Sequence, residues 1–185
     1  MGEQHKKHSR REHLNDFHLN VAGEYVYDGA LYACQNDDAK QRRSKRAVWG
    51  MAAILTVAVA AGGCIPAPGM QNCFYVLLPY LGEFLGAASV IWALAKLGTD
   101  WSTVREYNYK KSVAVLPVRT VVTAVFSLLG IVCELIFFFV NDHAGQTFFA
   151  LLYVLLKLIA LLSVLVLRAE IMQAEWDKLP KKNNS

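Results

Sequence analysis

The chain has 185 residues, of which 55% are hydrophobic, and its formal net charge at pH 7 is +4. Its mean hydropathy is positive, at +0.28. Because the apolar residues are strongly clustered, this balance argues against a soluble domain of this size. We predict a lipid bilayer as its environment and no nucleic-acid partner.

The first 46 residues are polar and contain four dispersed histidines, His5, His8, His13 and His18. No cysteine at a zinc-like spacing accompanies them, and a solvated tail explains them. We therefore predict neither a metal nor a cofactor.

Within this N-terminal segment, Glu24–Cys34 (EYVYDGALYAC) alternates aromatic and aliphatic residues around Asp28–Gly29. An Asp-Gly pair in such a context predicts a β-hairpin near residues 24–34. A two-stranded hairpin is marginally stable alone in water, so it must pack on something. One alternative is a cap on the bundle's own inner loop, with Trp101, Tyr107 and Tyr109 as apolar partners. The other is a strand edge offered to a partner protein at the cytoplasmic face.

Four later stretches approach the roughly 20 apolar residues that a helix needs to cross a bilayer core of about 30 Å. A soluble helix bundle would need wide polar faces, which these stretches lack. The predicted fold class is therefore an all-α integral membrane protein with four transmembrane helices. We place its N-terminal segment at 1–46, its helices at about 47–63, 74–97, 113–140 and 146–168, and its C-terminal tail at 169–185.

The distribution of Lys and Arg predicts the orientation. Nine lie before Ala47, four between Lys96 and Ser112, and four from Arg168 onward. The loops CIPAPGMQNC and NDHAGQ contain none. Basic loops face the cytoplasm, so we predict a cell-membrane protein with both termini inside. Four tryptophans stand at or beyond the inner helix ends, where interfacial Trp is expected: Trp49, Trp92, Trp101 and Trp176.

The apolar stretches 74–95, 120–140 and 147–167 contain one charged residue each, namely Glu83, Glu134 and Lys157. At 1.5 Å per residue they lie at similar depth, where an unpaired charge costs at least about 2.5–3.5 kcal/mol. We predict that Lys157 pairs with one ionised glutamate and that the other glutamate is protonated. Two interpretations remain: a polar clasp that fixes helix register, or a proton or cation site with Thr123 and Ser127 lining a path toward the cytoplasm.

Two further features concern packing and covalent structure. Gly82 and Gly86 form a G-x-x-x-G face in the second helix, which serves either a tight intramolecular bundle or a homo-oligomer. Cys64 and Cys73 bracket the first outer loop. They are either bridged by a disulfide, which we favour if the outside is oxidising, or unpaired.

The sequence contains no Walker loop, dinucleotide fingerprint, HExxH motif or nucleophile elbow, so we do not predict an enzyme. The leading functional interpretation is a non-enzymatic accessory, scaffold or sensor component. The alternative is a small oligomeric transporter or channel that uses Glu83, Glu134 and Lys157.

Overall fold

The computed structural model describes residues 17–19, 25–27, 29–141 and 147–179. His5, His8 and His13, and the middle of the predicted loop between the last two helices, lie outside these residues.

The described chain is mostly helical, and the structure confirms four helices long and apolar enough to span a membrane. They are α1 (Asp38–Cys64), α3 (Phe74–Leu97), α5 (Leu116–Val140) and α6 (Thr147–Met172), with the short helices α2 (Pro68–Asn72) and α4 (Glu106–Lys111) between them.

Three helix boundaries differ from the prediction by three residues or more, and one of them is the end of α6, which lies at Met172 and not at residue 168. Helix α1 begins at Asp38 and not at residue 47, because its basic first turns consist largely of good helix formers. Helix α5 begins at Leu116, so Pro117 lies in its first turn, where proline is tolerated.

The four long helices form a closed ring. Helix α1 packs mainly on α6 and also on α3, while α5 packs on both α3 and α6. Helices α3 and α6 therefore face each other across the centre of the bundle. The inward-pointing side chains of α3 and α6 therefore meet on the bundle axis.

The outward faces of the bundle are apolar. Leu85, Leu128 and Leu162 are 68%, 53% and 61% exposed, and each belongs to a different long helix. A soluble bundle would carry polar residues at such positions. Together with the length of the four helices, this surface indicates a membrane protein.

The glycine face of α3 lies against α5. A Cβ atom built on Gly86 would stand 3.2 Å from Thr123 Cα, and one built on Gly82 would meet the ring of Phe126. Both positions therefore allow close contact between two helices of the same chain.

A three-stranded antiparallel sheet covers one end of the bundle. Strand β3 (Leu31–Cys34) precedes α1, β4 (Val104–Arg105) lies between α3 and α4, and β5 (Trp176–Lys178) follows α6. Strand β3 is the central strand, with β4 on one side and β5 on the other. We call this end the sheet end, and the opposite end, where α2 lies, the loop end.

The structure corrects the predicted hairpin near 24–34. Strand β2 (Tyr25–Tyr27) pairs with β1 (Phe17–Leu19) and not with β3. Strand β3 instead uses both of its edges for β4 and β5, which are distant in sequence. Tertiary contacts such as the stacking of Tyr32 on Tyr109, at 4.2 Å between ring centroids, override the local turn signal.

The structure contains no bridge between Cys64 and Cys73, which are both free thiols. Helix α2 fills the short connection between them. It is tied by hydrogen bonds within the loop, including one from Cys73 N–H to the Gly69 carbonyl at 2.9 Å. The predicted disulfide is therefore not what closes this loop in the structure.

Candidate functional site

The centre of the bundle holds an ion pair between Glu83 of α3 and Lys157 of α6. Lys157 Nζ donates a hydrogen bond to Glu83 Oε2. The Glu83 side chain is 0% exposed and the Lys157 side chain is 2% exposed. Because α3 and α6 are opposite members of the ring, this pair crosses the bundle axis and links two helices that have little other contact.

Two tyrosine rings complete the surroundings of the lysine ammonium. Lys157 Nζ lies 4.6 Å from the ring centroid of Tyr80 and 5.1 Å from that of Tyr153. Electron-rich ring faces attract a cation, most strongly where water is excluded. One carboxylate and two aromatic faces thus stabilise one buried positive charge.

Tyr80 and Tyr153 were not predicted from the sequence as contacts of the lysine ammonium. The signal was present in their spacing, because Tyr80 precedes Glu83 by three residues and Tyr153 precedes Lys157 by four. Residues three or four apart lie on the same face of a helix.

Glu134 of α5 is also fully buried, but its partner lies in α2 at the loop end. Its Oε1 atom accepts a hydrogen bond from the backbone N–H of Gly69 in α2, at 3.4 Å. A Cβ atom at position 69 would collide with this carboxylate. Glu134 therefore holds the α1–α3 connection onto the bundle, whereas Glu83 holds Lys157.

The two predicted hydroxyl residues are buried on the inward face of α5. Ser127 Oγ donates to the backbone carbonyl of Lys157 at 3.2 Å, which ties α5 to α6 beside the ion pair. Thr123 Oγ1 donates to the Arg119 carbonyl of its own helix at 2.8 Å, and it packs against Gly86. Both hydroxyl protons are thus used in hydrogen bonds to backbone carbonyls.

Two atoms of this site are buried without a hydrogen-bond partner among the described residues, namely Glu83 Oε1 and Tyr153 Oη. An unsatisfied buried polar atom costs about 1–3 kcal/mol. Glu83 Oε1 can accept a further hydrogen bond, and Tyr153 Oη can donate or accept one.

A second cluster joins the sheet to the bundle. Trp101 is 2% exposed and belongs to the apolar core of the sheet end. Its ring lies 5.8 Å from Trp176 of β5, and Lys45 Nζ of α1 lies 5.7 Å from its centroid. Its carbonyl accepts a hydrogen bond from Cys34 N–H of β3, at 3.1 Å. Trp101 is therefore a buried anchor and not an interfacial residue.

The turn before this anchor is fixed by its own hydrogen bonds. Asp100 Oδ1 accepts bonds from Ser102 Oγ at 2.6 Å and from Ser102 N–H at 3.0 Å. The hydrogen bond from the Ser102 hydroxyl, followed by that from the Ser102 N–H, lowers the pKa of the Asp100 carboxyl.

Comparisons of this chain with protein-family models, with curated proteins and with solved structures give no match.

Proposed function

We propose that this protein is a non-enzymatic membrane component, an accessory or scaffold subunit that presents its sheet to a partner protein. The observation that carries the proposal is that the strands of the sheet come from distant parts of the chain. Strands β3, β4 and β5 come from three separate parts of the chain, before, between and after the membrane helices. Ordering three segments costs backbone entropy of roughly 1–2 kcal/mol per residue. Packing of Trp176 on Trp101 and Tyr109 offsets this cost within the chain, so a partner would dock on a preformed sheet without ordering it.

The outer edge of β5 offers backbone groups to such a partner. Leu179 N–H donates to the Leu31 carbonyl, and Gln35 N–H donates to the Glu175 carbonyl, so residues 175 and 179 face β3. Backbone groups alternate between the two sides of a strand. The N–H and C=O of Trp176 and Lys178 therefore point away from β3, and no described strand pairs with that edge.

The sheet end faces the cytoplasm in this proposal, and the protein lies in the cell membrane with both termini inside. The support is the distribution of Lys and Arg, because all three basic segments flank the sheet end while the α1–α3 connection contains none.

Reporter fusions test this orientation. Fusions after Met70 and after residue 143 are expected to read as external, and those after Trp101 and Ser185 as cytoplasmic. The physical reason is the retention of basic segments on the inner side. An external signal at Ser185 would contradict the proposed orientation.

Site-specific photo-crosslinking in native membranes tests the scaffold function. The exposed Asp177 of β5 is replaced by benzoylphenylalanine, and Leu162, a lipid-facing residue of α6, is the matched control position. We expect a discrete protein adduct from position 177, with one partner identified by mass spectrometry, and no such adduct from position 162. Absence of a protein adduct at 177, or the same adduct pattern at both positions, would argue against a partner at the sheet.

A second candidate function is proton or cation transport at the buried cluster. The observation in its favour is that Glu83, Glu134 and Lys157 are each at most 2% exposed and come from three different helices. Intramembrane ionisable residues commonly mark ion pathways and proton relays. Reversible separation of Lys157 from Glu83 would be the elementary event of such a transporter.

A further inference from the structure

The first turns of α1 carry a compact group of arginines. Arg42, Arg43 and Arg46 line an open cleft of about 500 Å³, together with Asp38 and Ala39. Arg46 follows Arg42 by four residues and Arg43 by three, so the guanidinium groups share one side of the helix. With Asp38 included, the cleft has a net charge of +2.

Among the described residues, none of the other helices packs on this side of α1. Ser44 is buried, and Lys45 lies over the ring of Trp101, so these two residues mark the inward side of the same turns. Arg42, Arg43 and Arg46 are exposed. The arginines are therefore free to bind a ligand from outside the bundle.

The depth of the arginines matches the headgroup layer of a bilayer. The apolar part of α1 starts at residue 47, so Arg42 lies about 7.5 Å and Arg46 about 1.5 Å outside it. Headgroup regions add roughly 5–8 Å on each side of the hydrocarbon core. The three guanidinium groups thus span the layer in which lipid phosphates lie.

The same side of the helix continues into the apolar region as a surface suited to an acyl chain. Trp49 follows Arg46 by three residues, and Gly50 follows it by four, with no heavy atom within 4 Å of a Cβ built at position 50. Ala53 and Val57 continue this side and are exposed. The arginines that could contact a phosphate are thus followed, on the same side of the helix, by an exposed apolar surface.

We propose that this surface binds an anionic phospholipid, with the headgroup phosphate held by Arg42, Arg43 and Arg46 and one acyl chain along Trp49, Gly50 and Ala53. Guanidinium groups bind phosphate oxygens in a bidentate manner, which an ammonium group cannot reproduce. This inference concerns a lipid site and does not depend on the partner proposed for the sheet.

Lipid titration of the purified chain in neutral detergent, read by native mass spectrometry, tests the site. The probes are short-chain phosphatidylglycerol, short-chain phosphatidylcholine and inorganic phosphate. Wild type is expected to bind phosphatidylglycerol preferentially. R42Q/R43Q/R46Q is expected to bind it about a hundredfold more weakly, at about fivefold per charge.

The matched control is K110Q/K111Q/K178Q, which removes the same charge from the sheet end outside the cleft and is expected to keep wild-type binding. Equal losses in the two triple variants would show a diffuse charge effect and overturn the proposal. Equal binding of phosphatidylglycerol and phosphatidylcholine would do the same, and so would displacement of the lipid by millimolar phosphate. R42K/R43K/R46K keeps the charge and supplies a second test, in which unchanged affinity would rule out the bidentate contact.

Discussion

Replacing Lys157 by Leu is expected to lower the free energy of unfolding by about 3–5 kcal/mol, because it leaves the Glu83 carboxylate buried and without its cation. Glu83 is 0% exposed, so water cannot take the place of the ammonium. The loss of two ring contacts, from Tyr80 and Tyr153, adds to the effect. The measurement is reversible unfolding in mixed detergent micelles, followed by circular dichroism.

The double variant K157L/E83L distinguishes a broken ion pair from lost packing. Removing both charges leaves no buried ion, so we expect stability to return to within about 1–2 kcal/mol of wild type. The control Lys110→Leu changes a lysine that is 68% exposed and forms a surface ion pair with Glu106, so its effect is expected to stay within about 0.5 kcal/mol. A Lys157→Leu variant as stable as this control would contradict a buried ion pair.

Replacing Trp101 by Ala is expected to cost about 3–5 kcal/mol, the usual range for truncating a buried Trp. The loss should be concentrated at the sheet end, since Trp101 contacts β5 through Trp176 and α1 through Lys45. Hydrogen exchange is the measurement of choice. Faster exchange at residues 31–34 and 176–178, with slow exchange retained in α5 and α6, is the expected pattern.

The matched control is Trp92→Ala, because Trp92 is 63% exposed on the same helix that leads to Trp101. Its truncation is expected to change stability by no more than about 0.5 kcal/mol and to leave exchange in the sheet unaltered. Equal effects of the two truncations would mean that Trp101 is not the anchor of the sheet.

The helices could be predicted because hydropathy over about 20 residues is a local signal. The structure shows which charged side chains meet, and the depth of a residue along its helix does not. Glu83 and Glu134 are at similar depth along their helices, and depth alone cannot say which of them meets Lys157. The assembled bundle decides it, because Lys157 reaches Glu83 across the bundle axis and the backbone N–H of Gly69 in α2 holds Glu134. That arrangement depends on side-chain packing between helices, which no single helix encodes.

The sheet could not be predicted for a related reason. Tyr32 pairs with Val104 on one side and with Lys178 on the other, far away along the chain. The Asp28–Gly29 signal describes only neighbours in sequence, so it favoured a local hairpin. Trp101 and Trp176 were likewise assigned to the membrane interface by position, whereas Trp176 belongs to strand β5 and packs on the ring of Trp101.

We assign the buried charges to the architecture of the bundle and propose that the sheet carries the function of the protein. Proton flux in liposomes that contain the purified chain tests this assignment most directly. With an imposed pH gradient and membrane potential, wild type and Glu83→Gln are both expected to give the background rate of protein-free liposomes. A flux well above background in wild type that is lost in a folded Glu83→Gln variant would contradict the account and assign the Glu83–Lys157 pair to transport.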